Sequence, residues 1–240
     1  MYSIETKNLT KKYNEKTVVS NLNLKVKDGE LFALLGVNGA GKTTTIKMLS
    51  TLILPTSGSI MINNLDVSKN KQSIKKIINI SPQVTSLASN LTVRENFEFI
   101  SGIYQINDKD KKIKELVDMF NLDKVLNQKA KTLSGGWQRK VSIAMSLIND
   151  PDILFLDEPT LGLDVMSRKE LWKIIESKKG KMTIILTTHY MEEAEYLSDR
   201  VGIISDGVLL DVDSTDGLKK KTNTNTLEDA FVKIATGGKL

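Results

Sequence analysis

The chain has 240 residues, of which 40% are hydrophobic and 26% are charged, so it can form one large globular domain, with or without an inserted subdomain. It contains no cysteine, which excludes a disulfide framework and thiol chemistry. The formal net charge of +5 comes from basic and acidic residues mixed along the whole chain. It fits a lysine-rich surface, or an attraction to a nucleic acid, an anionic membrane or a phosphorylated ligand.

The amino terminus, MYSIETKNLT, has no basic segment followed by an apolar one, so we predict no signal peptide. The longest apolar runs, such as residues 31–35 and 153–156, are too short to span a bilayer. We therefore expect a soluble, intracellular chain.

The first third of the chain alternates short strand-like runs with turns and then changes to a helical pattern. The run LFALLG, residues 31–36, predicts a strand that ends in glycine. The next segment, KTTTIKMLSTL, has Ile46, Leu49 and Leu52 at helical spacing. This order of strand, glycine loop and helix is typical of a phosphate-binding loop.

The loop itself, GVNGAGKTT, fits the P-loop pattern of glycine, four residues, then glycine, lysine and threonine. Glycines let several backbone N–H groups point at one phosphate, and the helix N-terminus adds positive potential. Lys42 can reach the β- and γ-phosphates, and the Thr43 hydroxyl suits a Mg²⁺ ligand. The alternative is a plain glycine turn. The predicted nucleotide-binding residues in this loop are Gly36, Asn38, Gly39, Ala40, Gly41, Lys42, Thr43 and Thr44.

From about residue 84 to residue 150 the pattern becomes helical. An amphipathic stripe there is formed by Ile113, Leu116, Val117 and Phe120. Near its end, LSGGWQRK places two glycines and a tryptophan at the start of another predicted helix. Bare backbone at a helix N-terminus favours an anion site.

After residue 151 the alternation of strand and helix returns. The apolar run ILFL leads into Asp157 and Glu158, at the edge of the sheet where α/β folds bind ligands. Asp157 would hold Mg²⁺ directly or through water, and Glu158 could orient and deprotonate an attacking water. The alternative is an acidic pair that caps a helix.

The only histidine, His189, ends a second apolar strand whose carboxyl end should lie near the first. There it could touch a γ-phosphate or the attacking water, although an isolated histidine more often has no special role. Farther on, Asp206-Gly207 predicts a hairpin turn, and Thr226 is placed to cap a short C-terminal helix.

Together these motifs resemble those of the nucleotide-binding subunit of an ABC transporter, over nearly the whole chain. They correspond in order to Walker A (36–44), a Q-loop ending at Gln83, the signature LSGG (133–136), Walker B (153–159), a D-loop ending at Asp164 and a switch histidine, His189. Tyr13 matches the aromatic position whose ring stacks on adenine in that family. The resemblance implies an α/β P-loop NTPase with a mostly parallel core sheet, an N-terminal antiparallel β subdomain and an inserted helical subdomain.

The resemblance also implies one domain over residues 1–240. Its core and β subdomain would comprise 1–83 and 151–220, and the helical subdomain with the signature 84–150. Residues 221–240 would form a linker and a C-terminal helix.

The site residues implied by the resemblance bind ATP and Mg²⁺. Lys42, Gln83, Glu158 and His189 would take part in catalysis, and Thr43, Gln83 and Asp157 would bind the metal and its waters. Glu158 would act as the general base. In this family two subunits face head to tail, so Ser134, Gly135 and Gly136 would contact the ATP of the partner subunit.

One position departs from the family pattern, because Trp137 stands where the signature usually ends in glutamine. On a helix it would share a face with Val141, Ala144, Met145 and Ile148, which favours packing of the indole in the core. The other interpretation is a contact with the nucleotide or with the opposite subunit.

The expected partners are a second ATP-binding subunit and an integral membrane permease, with no nucleic acid. The ending LEDAFVKI resembles the tail of ATPases from bacterial export systems for drugs, lantibiotics and sodium. We therefore expect a cytoplasmic subunit on the inner face of the membrane that powers export. The alternatives are a cassette that gates a membrane complex other than a transporter, and a degenerate cassette that binds ATP without hydrolysing it.

Overall fold

The computed structural model describes residues 1–237 as a mixture of strands and helices. The strands are β1 (Tyr2–Tyr13), β2 (Lys16–Leu22), β3 (Lys25–Lys27), β4 (Leu31–Leu35), β5 (Ser57–Ile62), β6 (Leu65–Asp66), β7 (Ile78–Ser81), β8 (Ile153–Asp157), β9 (Thr183–Thr188), β10 (Arg200–Ser205) and β11 (Val208–Asp213). The helices are α1 (Lys42–Leu49), α2 (Lys71–Ile77), α3 (Val93–Ile103), α4 (Lys109–Phe120), α5 (Gly135–Met145), α6 (Val165–Glu176), α7 (Met191–Leu197), α8 (Thr215–Thr222) and α9 (Leu227–Ala235).

The central sheet has six strands in the order β11-β10-β4-β9-β8-β7. All its neighbours are parallel except the β10–β11 hairpin. Every residue of β4, β8 and β9 is buried, as expected of parallel strands covered on both faces. The register pairs Leu35 with Thr188 and Asp157 with Thr187, so the carboxyl ends of these three strands meet at one edge.

Alternation along the strands divides the core between the two faces of this sheet. Leu31, Ala33 and Leu35 belong to the larger cluster, which includes residues of α3 to α9. Their neighbours Phe32 and Leu34 belong to the second cluster, with α1, α2 and the strands of a smaller sheet. The period of two in each strand therefore directs alternate side chains to the two faces, one covered by helices and the other by α1, α2 and the β layer.

The smaller sheet is antiparallel, in the order β2-β1-β5-β6 with β3 also paired to β1. The predicted hairpin joins β10 to β11 through Asp206 and Gly207, whose φ values of 46° and 78° are those of a type I′ turn.

Two helices end earlier than their apolar spacing predicts. Helix α1 ends at Leu49 because the chain turns at Thr51, whose φ is 62°, and Leu52 is 56% exposed. Helix α5 ends at Met145, so Ile148 is buried beyond the helix and does not continue the face that begins at Trp137.

The C-terminal region contains more helix than predicted, because α8 reaches Thr222 before the capped helix begins. The predicted cap is present, since the Thr226 hydroxyl accepts a hydrogen bond from the Asp229 N–H at 3.1 Å. Residues 238–240 of the predicted tail lie outside the described residues. Over the part of the chain that is described, no helix combines the length and the apolarity needed to cross a bilayer.

Candidate nucleotide site

The loop between β4 and α1 curls tightly at the start of the helix. Gly39 and Gly41 have φ values of 85° and 101°, which side-chain-bearing residues rarely adopt. A Cβ at Gly41 would also lie 2.8 Å from the carbonyl oxygen of Val18. Helix α1 has no side-chain cap and no acidic residue in its first turn. Its N-terminus is therefore suited to an anion, which would satisfy N–H groups that lack partners within the helix.

The loop forms one wall of a cleft of about 300 Å³. The cleft is lined by Val18, Asn38, Gly39, Gly41, Lys42, Thr43, Thr44, Gln83 and Glu158. The structure therefore brings most of the predicted loop residues together with the exposed Gln83. Val18 is an addition that the sequence patterns did not indicate.

Three residues that are predicted to bind the nucleotide of the same chain lie outside the lining of this cleft. Gly36 and Ala40 are buried behind the loop, and the Gly36 carbonyl accepts a hydrogen bond from Lys42 Nζ at 2.8 Å. Tyr13 lies at the end of β1, 47% exposed, with Lys11 Nζ 5.0 Å from its ring centre. An exposed ring leaves a face available for a base, so stacking on adenine stays a prediction.

Three of the four predicted catalytic residues form a connected chain. Lys42 Nζ lies 3.1 Å from Glu158 Oε1, and both side chains are only 5% exposed. The other carboxylate oxygen, Oε2, lies 2.8 Å from His189 Nδ1. The carboxylate is thus held between a cation and an imidazole, and this fixes its orientation toward the cleft.

Asp157 lies beside this chain and is 2% exposed. Its Oδ1 accepts hydrogen bonds from Thr43 Oγ1 at 3.1 Å and from Thr187 Oγ1 at 2.6 Å. Within residues 1–237, no group of three or more His, Cys, Asp or Glu could hold a metal ion. Mg²⁺ commonly binds through one or two protein oxygens together with phosphates and waters, so the adjacent oxygens of Asp157 and Thr43 fit it.

Glu158 has an unusual backbone conformation, with a φ of 50°. Its N–H donates to the carbonyl and the hydroxyl of Thr187, at 3.1 and 3.0 Å. Its carbonyl accepts a hydrogen bond from Arg139. Left-handed backbone at a side-chain-bearing residue costs about 1–3 kcal/mol and persists only where the surroundings fix it.

Arg139 is a functional candidate that sequence reasoning missed. It is 4% exposed, and burial lowers its pKa while the carboxylates of Asp157, Glu193 and Glu158 act in the opposite direction. The sequence places it beside the signature, yet no residue pattern shows that a cation on this helix turns inward.

Glu193, on α7, was also missed. It is fully buried, and its Oε1 accepts a hydrogen bond from Trp172 Nε1 at 3.0 Å, while its Oε2 has no hydrogen-bond partner among residues 1–237. Burial raises the pKa of this carboxyl, and the charge of Glu158 raises it further. It lies four residues after His189, on the helix that follows this histidine.

The signature forms a separate cleft of about 420 Å³. It is lined by Ser134, Gly135, Gly136, Trp137, Lys140, Gly162, Leu163, Asp164 and Ser167. Ser134 and Gly135 are exposed, and the Ser134 hydroxyl accepts from the Trp137 N–H at 3.5 Å. None of these residues lines the P-loop cleft, so one chain does not bring the two groups together.

Trp137 is half-buried and packs against the larger core cluster, as the packing interpretation predicts. Its ring centre lies 5.1 Å from Lys140 Nζ, which is also paired with Glu170 at 2.6 Å. The indole still lines the signature cleft, so one part of it is packed and another part faces outward.

Comparison with known proteins relates this geometry to a family. Residues 19–161 match the family model described as "ABC transporter". The chain is 38% identical over 239 residues to the probable multidrug ABC transporter ATP-binding protein YbhF of Escherichia coli, covering 96% of the chain and 41% of that protein. It is 37% identical to the daunorubicin/doxorubicin resistance ATP-binding protein DrrA of Streptomyces peucetius, covering 94% of the chain and 69% of that protein.

Among solved structures, an ATP-binding subunit of an ABC transporter superposes with a TM-score of 0.88 at 27% identity, covering 96% of this chain and 98% of that one. A dimeric ATP-binding cassette in a post-hydrolysis state, bound to ADP and Pi, superposes with a TM-score of 0.81 at 28% identity, covering 88% and 98%. These matches confirm the predicted ABC ATPase fold. The chain spans less than half the length of YbhF. From these matches we conclude that the chain belongs to the ABC transporter ATP-binding family.

Proposed function

We propose that this chain binds and hydrolyses ATP, dimerises when ATP is bound, and powers a separate membrane permease that exports a substrate from the cytoplasm. The observation that carries the proposal is the buried connection from Lys42 through Glu158 to His189 at the wall of the P-loop cleft. A cassette that only binds ATP has no need to keep a buried carboxylate oriented in this way. We therefore disfavour the degenerate alternative.

The roles of the cleft residues follow from their chemistry. Backbone N–H groups around Gly39 and Gly41, with Lys42, bind the phosphates, and Tyr13 stacks on the base. Thr43, Gln83 and Asp157 would hold Mg²⁺, which when bound would neutralise charge that develops on the phosphates.

Glu158 acts as general base on the attacking water. With its Oε1 on Lys42 and its Oε2 on His189, it must release one of these contacts to reach a water. Binding of the γ-phosphate supplies the reason, because Lys42 then has a stronger anionic partner. Lys42 moves its interaction to the phosphate, and Glu158 becomes free to accept a proton from the water. His189 remains within reach of the γ-phosphate and of the Glu158 carboxylate.

The second half of each site comes from another copy of the chain. The signature residues Ser134 and Gly135 are exposed, Gly136 is half-buried, and all three line a different cleft from the P-loop. Charge stabilisation at the γ-phosphate therefore requires a partner subunit, which would donate backbone N–H groups and the Ser134 hydroxyl. The dimeric cassette among the solved relatives supports this arrangement.

A membrane subunit would dock next to Gln83, on an apolar groove. The groove is lined by residues that include Leu52, Ile80, Leu87, Ile100 and Met145. Beside it, Val84, Phe99 and Ile103 are 82%, 62% and 59% exposed, which is a large apolar surface to leave in water. A cytoplasmic loop of a permease would cover it and sense Gln83, and it would hold the chain at the inner face of the membrane.

Export is favoured over gating of some other membrane complex because relatives of this chain carry names of drug-resistance and multidrug transport proteins. Those names describe the relatives, and the cargo of this chain depends on its permease.

The test is light scattering on Glu158→Gln, with and without Mg-ATP, alongside the hydrolysis rate. Loss of the general base should lower the rate by about 10²–10⁴-fold, and a dimer should then accumulate only with ATP. Glu15→Gln, an exposed carboxylate in the turn after β1, is the matched control. A Glu158→Gln protein that hydrolyses ATP at the wild-type rate would overturn the assignment of the base.

A further inference from the structure

The guanidinium of Arg139 lies at the junction of three motifs. Its Nε donates to the Pro159 carbonyl at 3.0 Å, its Nη1 to the carbonyls of Pro82 and Gln83 at 2.5 and 3.2 Å, and its Nη2 to those of Asp157 and Glu158. An arginine has five N–H donors, and all five are used here on backbone carbonyls. A planar fork can do this, whereas a lysine has three donors on one atom.

These carbonyls belong to the two loops that carry the catalytic base and the Q-loop glutamine. On one side Arg139 holds the peptide of Glu158, the residue with left-handed backbone. On the other side it holds the peptide of Gln83, whose side chain lines the P-loop cleft. Arg139 itself is on α5, the helix that begins with the signature glycines.

Packing of α5 does not depend on this arginine alone. The helix buries Val141, Ile143 and Ala144 in the larger core cluster, and its Ser142 hydroxyl lies 3.0 Å from that of Ser81 on β7. A buried guanidinium is costly to desolvate, so an apolar residue could fill the same space more cheaply if packing were the only requirement. The arginine therefore has a role in arranging the loops.

We propose that Arg139 is a positioning residue that orients Glu158 and Gln83 and links both to the signature helix. The inference rests on the proposed ATP hydrolysis with Glu158 as its base. When a partner's nucleotide docks on the N-terminus of α5, the rigid fork carries any shift of the helix to the peptide of the base. Arg139 is not among the residues that line the P-loop cleft, so it affects the rate of hydrolysis and leaves nucleotide binding to the P-loop.

The test compares Arg139→Lys and Arg139→Gln with a matched control, Arg200→Lys. Arg200 also makes hydrogen bonds to a carbonyl and to a buried carboxylate, those of Lys25 and Glu30, at 3.2 and 3.1 Å. It lies on β10, away from the cleft linings described above. Binding of Mg-ATP is measured by titration with a fluorescent ATP analogue. The value of kcat is then calculated per binding-competent site, so that unfolded molecules do not lower it.

We expect both Arg139 variants to lose about 10–100-fold in kcat, with the Kd for Mg-ATP within about twofold of wild type, as for a misoriented base. A purely structural role would lower Tm and leave kcat per site unchanged, and this result would overturn the inference.

Failure of the inference and failure of the proposed function give different results. If wild type and Arg200→Lys hydrolyse no ATP, the proposed function fails. If wild type hydrolyses ATP, Glu158→Gln does not, and Arg139→Lys equals wild type per site, only the role of Arg139 fails.

Discussion

The P-loop and the signature loop both place glycines at the start of a helix, but they differ in what completes them. Helices α1 and α5 each lack an acidic residue in the first turn, whereas α3, α6 and α9 begin with carboxylate-containing caps or first turns. A carboxylate there would compete with a phosphate for the positive end of the helix. Both loops are therefore suited to an anion.

The P-loop finds its partners inside its own chain. Lys42 pairs with the buried Glu158, and Thr43 pairs with Asp157. The signature residues Ser134 and Gly135 are exposed instead, and the Ser134 hydroxyl accepts a long hydrogen bond, of 3.5 Å, from its own helix. The contrast teaches that the first loop is completed by residues of its own chain, whereas the second is left open for the partner subunit that the proposed function requires.

The largest expected effect comes from Lys42→Met, which removes the buried positive charge of the P-loop. Glu158 then keeps a buried carboxylate without its cation, so we expect the free energy of unfolding to fall by about 3 kcal/mol, in addition to loss of Mg-ATP binding. Urea unfolding of the protein without nucleotide measures the first effect.

The double variant Lys42→Met/Glu158→Gln separates the two effects. It should recover much of the lost stability, since no charge is left unpaired, and it should still fail to bind Mg-ATP. Two single changes whose stability costs simply add would contradict a direct interaction between these side chains.

Ser134→Ala tests the signature side, in the Glu158→Gln background. A hydroxyl that donates to a phosphate oxygen contributes about 1.5–3 kcal/mol, so the ATP-dependent dimer should weaken by about 10–100-fold, as measured by light scattering against protein concentration. Stability of the monomer should change little, because the capping bond of Ser134 is already 3.5 Å long.

The control for this change is Ser214→Ala. Ser214 caps α8 through the Gly217 N–H at 3.0 Å, so its loss should cost about 1 kcal/mol of stability and leave the dimer unaffected. If both variants weaken the dimer equally, Ser134 acts as a cap and not through the partner's nucleotide.

The same contrast explains how far the sequence could go. Contiguous motifs such as GVNGAGKTT carry their own local geometry, so the P-loop, the strand before it and Asp157 at the end of β8 could be predicted. The ends of α1 and α5 could not, because apolar spacing continues past them while the backbone turns at residues such as Thr51.

Residues that act through long-range contacts were beyond the sequence patterns. Arg139 and Glu193 read as ordinary surface charges on amphipathic helices, and only their tertiary environment buries them. The half-buried state of Trp137 also depends on the fold, since its face of α5 packs against the core while the first turn of the helix remains open.

Trp137→Leu is expected to change stability less than Lys42→Met does, and to weaken the dimer less than Ser134→Ala does. The change removes part of an indole that packs against the core and the cation–π contact with Lys140, so stability should fall by about 1 kcal/mol. If the backbone N–H groups of the signature make the contact with phosphate, the dimer should weaken far less than in Ser134→Ala. A loss equal to that of Ser134→Ala would show that the indole contacts the partner subunit or its nucleotide.

The last prediction concerns Glu193, whose contribution to the free energy of unfolding depends on pH in a defined direction. Burial raises the pKa of Glu193 above its ordinary value of 4.5, so between that value and the raised one the folded chain binds more protons than the unfolded chain. The contribution of Glu193 to stability is therefore lost as pH rises through this window. Glu193→Gln stays neutral and keeps an oxygen for Trp172 Nε1, so its stability relative to wild type should increase from pH 5 to pH 8 in urea unfolding. Glu15→Gln, which changes an exposed carboxylate, sets the baseline, and an equal pH trend in both variants would show that the buried position of Glu193 has no special effect.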